Sequence, residues 1–218
     1  MNPDRTNIYI GKKARLSNIY KFEKLDSIIE PFAQELFENP ETFPLTIMYM
    51  ENLESLGYCY KFLDCFLGNK QYIGKVGVPE NRIFAQYHKD YTPNMKLFII
   101  KELSRVKPTV RLVLATVALG MGLNAPCIER IVHCRPPTTL EGYMQEIGRA
   151  GRQGQKAEAV LYYNNSDISR SRKGMSEAMI YFCRNENSCL RKQLLQHFGF
   201  DEAVLLVTLL TAVPTVEM

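Results

Sequence analysis

Along the 218 residues of this chain, short apolar, β-branched runs alternate with stretches whose apolar residues fall three and four apart. That alternation constrains the fold more than any other feature, because a buried strand and an amphipathic helix demand different spacings of the same residues. Residues 45–50, Leu-Thr-Ile-Met-Tyr-Met, form a nearly unbroken apolar run, as expected for a strand covered on both faces. Over 18–38, Phe22, Leu25, Ile28, Ile29, Phe32, Leu36 and Phe37 recur at helical spacing. The same reading predicts strands over 6–10, 82–88, 111–117, 129–134 and 158–163, with helices over 53–67, 94–104 and 139–147. The expected class is α/β, an open and mainly parallel sheet with helices on both faces. Past residue 166 no strand pattern appears, and two helical patterns carry the chain to about 198, a short helical extension.

Composition excludes several classes. The chain is 46% hydrophobic and 23% charged, which is ordinary for a soluble globular protein and supplies a real core. The longest apolar run, residues 203–213, is about half of the roughly 20 residues a membrane span needs. Residues 1–12 are polar and carry no signal-peptide pattern. Six cysteines, none spaced as Cys-x-x-Cys, sit mostly in apolar stretches, which suits a reducing, intracellular home. The net charge of +4 permits a nucleic-acid partner without demanding one.

In open α/β sheets, ligands gather at the carboxyl ends of the strands, here the loops after residues 50, 88, 117, 134 and 163. Two segments carry the densest chemistry. In Ala115-Thr116-Val117-Ala118-Leu119-Gly120-Met121-Gly122-Leu123-Asn124-Ala125-Pro126, a buried strand ends in a threonine and two glycines. Glycines let a ligand approach the backbone, and Thr116 offers a hydroxyl and an N–H to a phosphate oxygen. A turn needed only for packing fits that spacing equally well. In Gln145-Glu146-Ile147-Gly148-Arg149-Ala150-Gly151-Arg152-Gln153-Gly154, two arginines lie among three glycines at a helix end. Guanidinium groups cleared of neighbouring bulk fork onto phosphate oxygens, although cations also suit any helix C-terminus.

These two strings resemble the fifth and sixth helicase motifs of RecQ-type DNA helicases. The strand from Thr46 resembles the start of motif IV, and Ala85-Gln86-Tyr87-His88 resembles the family's Tyr-His element. Tyr181-Phe182-Cys183 and the stretch from Cys189 to Gly199 resemble the entry to its zinc-binding subdomain. The resemblance runs in order from about residue 4 to 200. It implies a RecA-like three-layer second motor lobe over 1–165 and an incomplete start of the zinc subdomain over 166–200. An atypical apolar tail fills 201–218.

The resemblance also implies roles. Arg152 would be the arginine finger for the γ-phosphate of ATP, and Arg149 would touch the phosphates or brace the cleft. Gln145, Gly148, Gly122 and Asn124 would serve ATP binding and its coupling, with Asn124 standing where the family usually has Asp. Leu119 and Gln153 replace a common Phe and Asp. Thr116, Gly120 and His88 would hold single-stranded or forked DNA.

The chain holds no Gly-x-x-x-x-Gly-Lys-Ser/Thr and no Asp-Glu-x-His. In the family these belong to a first lobe, which would also bring ATP and Mg²⁺. The expectation is a lobe of a 3′–5′ helicase that is inactive alone, in the nucleus if eukaryotic. The competing reading is a non-catalytic module that binds nucleic acid or a partner protein. Cys189 matches one zinc-ligand position, and zinc is not expected because a structural site normally needs four ligands.

Overall fold

The computed structural model describes residues 4–16, 22–116 and 125–200. Six strands build one sheet: β1 (Ile8–Ala14), β2 (Thr46–Tyr49), β3 (Phe84–Tyr87), β4 (Leu112–Ala115), β5 (Arg130–His133) and β6 (Ala157–Tyr163). Their order is β1-β6-β5-β2-β4-β3, and every neighbouring pair is parallel. The helices are α1 (Asp26–Glu38), α2 (Leu53–Leu67), α3 (Pro93–Leu103), α4 (Leu140–Ile147), α5 (Glu177–Arg184) and α6 (Leu190–His197).

Parallel strands need crossovers, and the helices supply them while covering both faces. On one face α1 and α2 lay Ile29, Leu36, Leu56 and Leu63 against Met48, Leu114 and Val132. On the other, α3 to α6 cover Ile47, Val113, Ile131 and Leu161 with Ile99, Tyr143, Phe182 and Leu194. The expected three-layer α/β fold is what forms. All four residues of β2 and of β4 are buried, which is why the central strands read as unbroken apolar runs.

Helix α2 occupies the span its periodicity predicts. Asn52 Oδ1 accepts the Ser55 N–H at 2.8 Å to cap its start, and Gly68 ends it at φ +51°, where other residues are strained. The predicted helix over 18–38 is shorter: a 3₁₀ turn at Glu23–Leu25 leads into α1 at Asp26, and residues 18–21 lie outside the described chain. Strand β1 departs most, running to Ala14 rather than stopping at Ile10. Its register with β6 extends over all seven residues, so backbone pairing outweighs its polar Gly-Lys-Lys stretch. Lys12 also earns a local role there, since its ammonium donates to the Cys183 carbonyl at 2.8 Å, at the carbonyl end of α5.

Candidate nucleotide and nucleic-acid interface

Helix α4 starts near the carboxyl edge of the sheet and runs back to the amino edge. Thr139 caps it, its Oγ1 accepting the Gly142 N–H at 3.1 Å. Leu140, Tyr143 and Ile147 form its buried stripe, which leaves Gln145 exposed and turns Glu146 inward. The helix ends at Gly148, and the chain then turns through Gly151 at φ +63°. A Cβ on Gly151 would stand 2.3 Å from Asn7 Nδ2, so no other residue fits without a shift. That turn is bolted to the amino ends of three strands. The Gly151 N–H donates to Ile128 O at 2.8 Å, and the Asn7 amide donates to the carbonyls of Gly151 (2.8 Å) and Gln155 (2.7 Å). Arg5 donates to the Ala150 carbonyl at 3.0 Å.

The two arginines therefore part company. Arg149 is buried, 5% exposed, with its charge beside Tyr49, whereas Arg152 lies exposed beyond the turn. Burial drives the Tyr49 hydroxyl far above the usual tyrosine range, with the Arg149 charge working against it. His133, at the end of β5, stacks on Tyr49 with ring centroids 5.0 Å apart and leans on Tyr143 at 5.1 Å. Its Nε2 lies 2.8 Å from Glu146 Oε2, a contact buried on both sides.

Tyr49, His133 and Glu146 thus seat α4, and with it the arginine turn, on the sheet. The sequence reading missed them. The available signal was a glutamate on the apolar stripe of α4 and a histidine at the end of an apolar strand.

Thr116 and His88 sit at the opposite edge, side by side at the carboxyl ends of β4 and β3. The Thr116 N–H donates to Tyr87 O at 3.2 Å and the residue is half-buried. His88 packs on Tyr91, ring centroids 5.3 Å apart, and its Nδ1 is buried with no partner among the described residues. Gly120, Gly122 and Asn124 lie outside the described residues. The sequence reading sought ligands only at carboxyl ends. The structure puts Thr116 and His88 there and carries Arg149, Arg152 and Gly148 to the amino edge.

The cysteine and histidine residues of the last helices do not converge. Cys183 is fully buried, and burial pushes its thiol up to about 12. Cys189 is exposed at the start of α6, and His197 Nε2 is bound 2.7 Å from Glu141 Oε1. Among the described residues no three His, Cys, Asp or Glu side chains group to hold a metal, so these residues do not fit a zinc site. Nor is any helix among them long and apolar enough to cross a membrane.

Comparison with known proteins agrees with this architecture. The family model described as "Helicase conserved C-terminal domain" matches residues 46–154, and the model described as "RecQ zinc-binding" matches 147–203. The second match stands against the expectation of no zinc, since it names a zinc-binding segment. Of the four ligands such a site requires, the resemblance assigns only Cys189 in this chain. The chain is similar to "ATP-dependent DNA helicase Q-like 4B" of Arabidopsis thaliana, 32% identical over 145 residues, covering 53% of this chain and 12% of that protein. It is 35% identical over 106 residues to "RecQ-like DNA helicase BLM" of Xenopus laevis, covering 41% and 8%. Among solved structures, "Mss116p DEAD-box helicase domain 2 bound to an RNA duplex" superposes with a TM-score of 0.53 at 12% identity. That match covers 90% of this chain and 80% of the other, and at such identity it speaks for the fold alone. The chain spans between 8% and 22% of the length of the first curated relatives it matches.

Proposed function

The chain belongs to the helicase C-terminal domain family, in its RecQ branch, and on that premise we propose that it is the second motor lobe of an ATP-dependent DNA helicase. In this reading residues 1–165 form the lobe, and 166–200 begin the appended helical subdomain. ATP is held by a first lobe with its own phosphate loop, and this chain completes the site when the lobes close.

One observation carries the reading: Arg152 is exposed on a turn whose backbone is bolted to three strand ends, while Arg149 is buried behind it. A finger needs a rigid base and a side chain that reaches outward. Arg152 meets the γ-phosphate and stabilises charge developing in the transition state. Arg149 braces the turn through Tyr49, and Gln145, exposed on α4, couples the nucleotide to the nucleic acid. At the other edge Thr116 and His88 hold phosphates of a single DNA strand without reading its sequence. Closing on ATP and opening after hydrolysis then move the two edges together, because α4 spans between them.

Alone, the lobe lacks the phosphate loop and is inactive. The test is ATP hydrolysis by the purified chain, with and without single-stranded DNA, and again after fusion to a RecQ-type first lobe. The reading expects DNA-stimulated hydrolysis only in the fusion, abolished by Arg152→Ala. Hydrolysis by the chain alone that depends on Arg152 would sink it.

A further inference from the structure

Six charged side chains meet at the carboxyl edge, on the half of the sheet away from Thr116 and His88. Arg15, its side chain 1% exposed, grips Asp167 through Nη2 and through Nε at 3.0 Å. Arg135 pairs with Glu51, and Lys24 Nζ lies 3.7 Å from the same carboxylate. Arg172 donates to the carbonyls of Pro136 at 2.8 Å and Asp167 at 3.0 Å. Among the described residues four cations thus face two carboxylates, an excess of two positive charges in a half-buried cluster.

Two further observations ask for an anion. Arg15 Nη1 is buried without a partner among the described residues. Arg135 Nε stands 3.1 Å from Asp167 Oδ1, yet makes no hydrogen bond, so that approach is an ion pair with its N–H unspent. Lys24 and Arg172 both have lowered pKa values, chiefly from burial, with Arg15 adding to the first and Arg135 to the second. The rim is open to solvent at Arg135, 21% exposed, and Glu51, 24%.

We propose that Arg135, Arg172 and Lys24 form a second phosphate site, which takes a backbone phosphate of the strand held by Thr116 and His88. This rests on the DNA-holding role proposed above. The strand order puts the end of β5 two strand spacings from the end of β4, about 10 Å along the same edge. Guanidinium groups match phosphate geometry, and Glu51 and Asp167 hold them in position while leaving charge over.

The test is fluorescence anisotropy of a labelled oligothymidylate with the full chain across a salt series. Arg135→Gln is expected to weaken binding several-fold and to flatten the slope of log K against log salt by about 0.7. Glu51→Gln, which raises the surplus charge, is expected to tighten binding, an outcome that misfolding does not imitate. Lys107→Gln, in the exposed turn between α3 and β4 at the other edge, leaves both quantities unchanged. If the wild type binds DNA and neither Arg135→Gln nor Glu51→Gln alters affinity or slope, the proposal is overturned. If the wild type binds no DNA, the DNA-holding role itself fails. Calorimetry with inorganic phosphate then decides the rest: binding lost in Arg135→Gln keeps the anion site without its nucleic-acid occupant, and no binding removes both.

Discussion

The two edges of this sheet handle charge in opposite ways. At the amino edge the arginine turn is fixed through its backbone, by the Asn7 amide and the Gly151 N–H, while the Arg152 side chain stays exposed. At the carboxyl edge the side chains themselves are locked, Arg15 on Asp167 and Arg135 on Glu51. A group that must reach a ligand in another lobe is best carried on a rigid backbone. A surface that holds a charged polymer is best built from side chains already fixed in place, because less ordering entropy is lost on binding.

The sharpest way to break this contrast is Arg152→Ala in a two-lobed fusion. Hydrolysis of ATP is expected to fall by about 10³–10⁵-fold, with the salt dependence of DNA binding unmoved. Loss of both would show that the edges do not divide the labour. At the carboxyl edge, Asp167→Ala strands the buried Arg15 guanidinium, and urea denaturation should record a loss of about 3–5 kcal/mol. Glu146→Ala removes the partner of buried His133 and should cost about 1–3 kcal/mol. In the fusion it should also lower kcat more than it raises KM for ATP, the mark of a positioning residue. Thr139→Ala deletes the cap of α4 at about 1 kcal/mol, read as a small fall in Tm.

The smallest effect is at the surface. The His197 contact holds the exposed Glu141 carboxyl below its usual range, so its contribution is present above that range and fades as pH falls through the lowered value. Glu141→Gln should flatten that acid limb by about 0.5 kcal/mol or less.

Much of this was legible because the fold is local in its signals. Helix α2 could be read from residue 53 to 67, since its apolar period lies within the segment and Gly68 follows directly to stop it. The string around Arg152 was dense enough to single out, whereas the glycines after Thr116 suited a packing turn equally well and were read through the family resemblance. Strand β1 was misjudged at its far end, because what extends it is β6, some 150 residues away in sequence. His133 and Glu146 were passed over for the same reason, being 13 residues apart and on different elements.

By itself, then, the sequence determined the alternation of strands and helices, the parallel sheet, and the two strings that mark the family. Period and composition act over a few residues and survive without knowledge of neighbours. Only the tertiary structure decided that Arg149 is buried and Arg152 exposed, that Thr116 and the arginine turn lie on opposite edges, and that Arg15, Lys24, Arg135 and Arg172 gather around two carboxylates. Burial and charge balance are sums over whatever packs nearby, and the groups that set them here come from strands and turns far apart in the chain.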